Sequence, residues 1–174
     1  MRQARVAWLA AGAVLLALGF GDKALGDGGK KSFKADLVGY EEPPSVSSTG
    51  SGDFKLKLNK ERTSFEYELS YEGLEGTVTQ SHIHIGQMGV NGGISIWLCG
   101  TPALPGPVGT PDCGGPNAGH VTGTVTAASV IGPSGQGVAV GEFDEVLRAM
   151  EEGVTYANVH STRNPGGEIR GQIK

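Results

Sequence analysis

The sequence predicts an all-β domain, an antiparallel β-sandwich or small barrel that carries one short helix. Short runs in which apolar and polar residues alternate recur along the chain, and such alternation is typical of strands with one buried face. The 30 glycines and 9 prolines fall mostly between these runs, where they indicate turns rather than disorder. Many short strands separated by turn residues are the pattern of sandwiches and small barrels.

Eight runs are predicted as strands, at residues 32–38, 52–58, 63–71, 77–85, 94–99, 120–126, 155–162 and 168–174. The second and third form the clearest hairpin, because both alternate strictly and only a polar turn separates them. One helix is predicted at residues 142–152, where apolar residues recur at intervals of three and four and Gly153 stands at the C-terminal cap. We expect this helix to cover an open end of the sandwich.

The first 26 residues have the three parts of a secretory signal peptide. Arg2 and Arg5 precede an uncharged apolar run at residues 6–20, and Ala24 and Gly26 supply small residues at the cleavage site. The apolar run is shorter than the roughly 20 residues that span a bilayer, although an uncleaved anchor is the alternative. We therefore expect a secreted or periplasmic protein with no stable membrane span after cleavage.

In this interpretation residues 27–31 form a linker and residues 32–174 a single domain. Removing residues 1–26 takes away three basic residues and one acidic residue, so the net charge moves from −4 to −6. A modestly acidic surface disfavours nucleic acid and anionic lipid as partners.

Two cysteines, Cys99 and Cys113, are predicted to form a disulfide, because an even pair in an oxidising compartment is usually bonded. The bond would close a loop rich in glycine and proline and stabilise the fold by about 3 kcal/mol. A metal-binding role for the thiols is the alternative, but no third cysteine or adjacent histidine accompanies them.

Three histidines are candidate metal ligands. His82 and His84 alternate along one predicted strand and would share one face. His160 lies in a similar run near the C-terminus, and a three-imidazole set with one open position suits copper or zinc. The alternative is a buried polar network in which the imidazoles bond Asn158, Glu168 or the backbone. His120 is predicted to lie on the surface.

Asn158, Glu168 and Arg170 are candidates for holding the histidines in place. Glu168 and Arg170 alternate on the last predicted strand, and we favour a cross-strand ion pair that fixes this strand over direct support of a histidine. Glu41 and Glu42 precede two prolines and carry less weight as cation ligands, because acidic residues before such a turn are ordinary.

Four motifs occur in the order seen in one family, and they are L-V-G-Y-E-E-P-P at 37–44, S-H-I-H-I-G at 81–86, G-V-T-Y-A-N-V-H at 153–160 and P-G-G-E-I-R-G-Q at 165–172. The chain resembles the CHRD domain, which is repeated in the animal protein chordin and occurs singly in exported bacterial proteins. The resemblance implies an immunoglobulin-like β-sandwich distantly similar to copper/zinc superoxide dismutase. It implies fold and location more than activity, and without chordin's cysteine-rich modules it does not imply growth-factor binding.

No enzyme is predicted. The 4 histidines are fewer than the superoxide dismutase family uses around its copper and zinc, and no G-x-S-x-G, H-E-x-x-H or P-loop motif occurs. We expect a non-catalytic binding module for a protein or glycan at the cell surface, with Tyr40 or Trp97 in an exposed contact patch. The alternative is a metal-binding protein that holds Cu or Zn through His82, His84 and His160.

Overall fold

The computed structural model describes residues 29–174, so the predicted signal peptide and part of the predicted linker lie outside the described residues. Within this part of the chain, all eight predicted strands and the predicted α-helix are present, with ends shifted by a few residues at most. They are β1 (Ser32–Val38), β2 (Ser51–Leu58), β3 (Ser64–Glu72), β4 (Val78–Ile85), β5 (Gly93–Cys99), β6 (Gly119–Thr126), α1 (Phe143–Glu151), β7 (Thr155–Ser161) and β8 (Ile169–Gln172).

All eight strands join in one antiparallel sheet with the order β5-β4-β7-β8-β1-β2-β3-β6. Its two end strands, β5 and β6, approach each other, so the sheet is nearly closed. The Tyr67 hydroxyl of β3 donates a hydrogen bond across this gap to the Leu98 carbonyl of β5. The predicted all-β, sandwich- or barrel-like class is confirmed.

The β1–β2–β3–β6 part of the sheet alternates as its sequence predicts. In β2, Phe54, Leu56 and Leu58 are buried, whereas Asp53, Lys55 and Lys57 are exposed. The predicted β2–β3 hairpin is confirmed, and Phe54 lies opposite Leu69 within it. One face of this part therefore belongs to the core and the other faces solvent.

Helix α1 packs on the core through the apolar stripe that the sequence predicts. Its buried residues are Phe143, Val146, Leu147 and Met150, and the ring of Phe143 lies 5.8 Å from that of Phe65 in β3. After the helix, Gly153 has a φ of +70°, and its amide donates to the Met150 carbonyl. This left-handed position explains the glycine cap. No helix among residues 29–174 is long and apolar enough to cross a membrane.

The predicted disulfide between Cys99 and Cys113 is present and fully buried. It joins the end of β5 to the segment that leads into β6. Beside it, the Gly100 amide donates to the Pro111 carbonyl and the Cys113 amide donates to the Gly100 carbonyl. The Tyr71 hydroxyl also donates to the Cys113 carbonyl, at 2.7 Å. The long loop is thus fastened to both ends of the sheet.

Strands β7 and β8 are buried on both faces, unlike their neighbours in the other part of the sheet. Alternate residues, among them Ala157 and Val159, join the hydrophobic core. The residues between them are large or polar and are covered by loops. This second, covered face holds the candidate site.

Candidate metal centre

Antiparallel pairing of β4 with β7 brings the three predicted histidines together. His82 lies opposite Asn158, and Gln80 lies opposite His160, so the imidazoles project from one face of the sheet. One nitrogen from each of His82, His84 and His160 lies within 4.8 Å of the others. His82 Nδ1 and His160 Nε2 are 3.2 Å apart. The sequence predicted that His82 and His84 share one strand, and the pairing of β4 with β7 brings His160 next to them.

The three rings are almost completely buried, with exposed fractions of 0% for His82 and 6% for His84 and His160. Burial, aided by the nearby charges that His160 and His84 could carry, lowers the pKa of His82 to about 2. Burial likewise lowers the pKa of His84 to about 4 and lowers that of His160. The rings are therefore neutral near pH 7, which is the form that binds metal ions.

Backbone carbonyl groups select the tautomer of two rings. His84 Nδ1 lies 2.9 Å from the Gly92 carbonyl oxygen, and His160 Nδ1 lies 2.9 Å from the Pro165 carbonyl oxygen. Because a carbonyl oxygen only accepts, we assign the proton to Nδ1 and the lone pair to Nε2. Both Nε2 atoms lie 3.1 Å from Asn158 Oδ1. Carbonyl groups hold metal-binding histidines in the same way.

His82 is held by ring packing rather than by the backbone. Trp97 meets it edge to face, with ring centroids 4.4 Å apart. His82 Nε2 is buried and has no hydrogen-bond partner, which is costly for a polar atom. Trp97 is half-buried here, so its predicted place in an exposed contact patch is wrong. The other candidate, Tyr40, is 69% exposed.

Tyr156 and Arg170 support His84 from the side. The Tyr156 ring stacks on His84 at a centroid distance of 4.7 Å and an interplanar angle of 2°. The Arg170 guanidinium lies 3.4 Å from the Tyr156 ring centroid, a cation–π contact. Arg170 also donates to the Gln87 and Val90 carbonyls at 3.1 Å. Arg170 thus acts on the histidine through Tyr156, a residue that the sequence did not single out.

The predicted cross-strand ion pair at Glu168 and Arg170 is wrong. Neither residue forms a salt bridge within residues 29–174, although both are buried. The Glu168 carboxylate instead accepts hydrogen bonds from the Ser48 hydroxyl at 2.7 Å, the Glu75 amide at 2.6 Å and the Ser161 hydroxyl. Glu168 therefore fastens loops around the site and makes no hydrogen bond to a histidine.

Glu42 is part of the site, although its sequence context gave it little weight. It is 6% exposed, and burial raises its pKa to about 7, against the opposing effects of the Arg170 charge and the nearby Asn158 side chain. Gly167 passes so close that a Cβ there would lie 2.2 Å from a Glu42 carboxylate oxygen. Because Glu42 lies close to Asn158, the loop after β1 is in contact with the histidine site.

His120 lies apart from this site, as predicted. It is exposed on β6, and its Nδ1 lies 3.0 Å from the Ser70 hydroxyl. It therefore provides a histidine outside the cluster for comparison.

The family model of the CHRD domain matches residues 33–173. The chain belongs to the CHRD domain family. The matched region of this CHRD domain contains the helix, the disulfide and all residues of the histidine cluster. No curated protein and no solved structure gives a significant match to the chain.

Proposed function

We propose that this CHRD domain is a non-catalytic, exported binding module whose ligand is a transition-metal ion, Zn(II) or copper, held by His82, His84 and His160. The observation that carries the proposal is the orientation of the rings. His84 and His160 each donate the Nδ1 proton to a backbone carbonyl. Their Nε2 atoms therefore carry lone pairs and face a common centre beside the ring of His82. Neutral imidazole is a good ligand for zinc and copper.

Burial supports binding rather than catalysis. The three rings lie beneath covering loops, and His82 is fully buried. A catalytic metal keeps a coordination position open to substrate or water, whereas a structural metal is enclosed by protein. The proposed ion would stabilise the domain, because a ligand that binds only the folded state lowers its free energy.

The test is a calorimetric titration of the purified protein with Zn(II) and with Cu(II). We expect one-to-one binding that is lost in His82→Ala and in His160→Ala, because each substitution removes a ligand from a different strand. His120→Ala is the matched control and should bind like the wild type, since His120 lies on the surface. Copper binding should also quench the fluorescence of Trp97, whose ring lies 4.4 Å from His82.

Unchanged titrations in both cluster variants would contradict the proposal. Absence of binding in the wild type, together with lower stability of both variants, would make the histidines a structural network.

A protein or glycan partner is the second candidate function, and an exposed apolar group favours it. Tyr40, Met88 and Val90 are 69%, 56% and 45% exposed. They lie on two loops that the Asn91 side chain joins by donating to the Pro43 carbonyl at 3.1 Å. Exposed apolar residues grouped on adjoining loops are typical of contact surfaces.

A further inference from the structure

Asn158 lies beside the histidine cluster, and its side-chain oxygen is close to a ring nitrogen of two of the three histidines. Asn158 Oδ1 is 3.1 Å from His84 Nε2 and 3.1 Å from His160 Nε2. His160 Nε2 is in turn 3.2 Å from His82 Nδ1. Ligand atoms around a tetrahedral ion with bonds of 2.0–2.2 Å are about 3.3–3.6 Å apart. The amide oxygen thus lies close to where a fourth ligand would.

The two contacts of Asn158 Oδ1 with His84 and His160 lack the proton that a hydrogen bond requires. His84 and His160 carry their protons on Nδ1, opposite backbone carbonyls, so each Nε2 is an acceptor. The oxygen of Asn158 is also an acceptor. Lone pairs on buried acceptor atoms that face one another repel. A cation between these atoms would remove the repulsion, because each lone pair could then coordinate the cation.

If the side-chain amide of Asn158 were rotated by 180°, its NH2 group would face the histidine nitrogens and could donate to them. Glu42 disfavours that orientation. The Asn158 side chain lies close enough to the Glu42 carboxyl group to lower its pKa against the effect of burial, and of the two ends of the amide only the nitrogen can donate to a carboxylate. In the turned orientation the amide oxygen would face the carboxylate instead. Glu42 is therefore a positioning residue that directs Asn158 Oδ1 toward the histidines.

We propose that Asn158 Oδ1 is the fourth ligand of a closed site made of three histidines and one amide oxygen, and that this site selects Zn(II) and Cu(II) over Cu(I). Oxygen ligands suit the divalent ions better than the softer Cu(I). This inference rests on the proposed metal-binding function and adds to it the fourth ligand and the oxidation state of the ion.

The test compares Asn158→Leu and Asn158→Asp with the wild-type protein for Zn(II), Cu(II) and Cu(I). Leucine removes the oxygen at similar size, and we expect the affinity for the divalent ions to fall at least about tenfold while that for Cu(I) changes little. Aspartate keeps an oxygen ligand and adds negative charge, so it should bind Zn(II) at least as tightly as the wild type. Bound Co(II) should have the intense visible spectrum of a tetrahedral ion in the wild type and lose it in Asn158→Leu.

Gln172→Leu is the matched control, because it removes another buried side-chain amide, on neighbouring β8. Gln172 donates only to the Gly86 and Gly153 carbonyls, both at 2.9 Å. We expect this variant to be less stable but to bind Zn(II) normally. For Glu42, leucine should weaken Zn(II) binding, whereas glutamine, which can still accept from Asn158, should restore it.

Equal Zn(II) affinity in Asn158→Leu and the wild type would overturn the fourth-ligand assignment while leaving the three-histidine site intact. Equal losses for Zn(II) and Cu(I) would also overturn it, by showing that Asn158 only positions His160. If the wild type bound none of the ions, the proposed function itself would fail together with this inference.

Discussion

The two parts of the sheet differ in the solvent exposure of their outer faces. In β1, β2 and β3, buried and exposed residues alternate, and most exposed positions are filled by lysine, aspartate, glutamate and serine. In β7 and β8, every residue is buried. The outer face there carries histidine, asparagine, arginine and glutamine beneath loops. A polar face that is exposed in one part of the sheet is enclosed in the other.

Enclosure changes what those polar residues must do. On the open face, water satisfies a charged side chain, and its identity matters little. On the covered face, each polar atom needs a partner within the protein, because an unpaired buried group costs about 1–3 kcal/mol. The opposed acceptors around Asn158 are therefore an exception that calls for a ligand. We infer that the covered part of the sheet is the functional one and that the alternating part is its scaffold.

The largest expected effect comes from the alternating part. Phe54 of β2 is fully buried, and its ring lies 6.2 Å from that of Tyr67. Phe54→Ala should lower the free energy of unfolding by about 3–5 kcal/mol, because it leaves a cavity in the core. Urea denaturation measures this loss. The Zn(II) affinity of the folded variant should remain that of the wild type, and a parallel loss of affinity would show that the two parts are not separable.

The second effect is an acid sensitivity of the covered part. Burial lowers the pKa of His84 from 6.5 to about 4, so below pH 6.5 the unfolded chain takes up a proton that the folded protein refuses. Stability should therefore fall as the pH decreases, and for His84 alone the loss by pH 4 should be roughly 3 kcal/mol. The measurement is urea denaturation of the metal-free protein, with chelator, between pH 7 and pH 4.

The variant His84→Gln isolates this contribution. Glu42, whose pKa burial raises to about 7, acts in the opposite direction, since the folded state holds its proton more tightly. Comparing His84→Gln with the wild type cancels that contribution, and the variant should lose less stability on acidification. His120→Gln should follow the wild type. Parallel curves for all three proteins would show that His84 does not titrate as its burial requires.

The smallest effect is expected on the open face. Lys34 of β1 lies directly opposite Lys55 of β2, and both are exposed. Like charges in such a pair repel, and threonine suits a strand, so Lys34→Thr should stabilise the protein by roughly 0.2–0.5 kcal/mol. Thermal unfolding at low salt measures the gain. Lys60→Thr, in the β2–β3 turn, is the control, and an equal gain there would make the effect one of net charge.

Local sequence was enough for most of the fold. The alternation of Phe54, Leu56 and Leu58 fixes which side of β2 is buried, and the helical spacing from Phe143 to Met150 does the same for α1. The short 3-10 turns at Ala127–Ser129 and Ser134–Gln136 have no such period and were not predicted.

The site was predictable only in part, because its remaining features depend on contacts between distant segments. The pattern placed His82 and His84 on one face, but only the pairing of β4 with β7 brings His160 to them. Glu42 is buried by loops from elsewhere in the chain, which acidic residues before prolines do not reveal. Glu168 precedes the start of β8 and follows Gly167, whose φ is +133°, so it does not continue the alternation that predicted its ion pair.

The near-closure of the sheet has a consequence for self-association. Strands β5 and β6 are its two ends, and the disulfide between Cys99 and Cys113 fastens the end of β5 to the segment before β6. Free strand edges recruit strands from other molecules, which is how fibrils and aggregates begin. By holding the two ends together, the bond leaves little edge available to a second copy. The bond therefore contributes to resistance against aggregation in concentrated solution as well as to the free energy of unfolding.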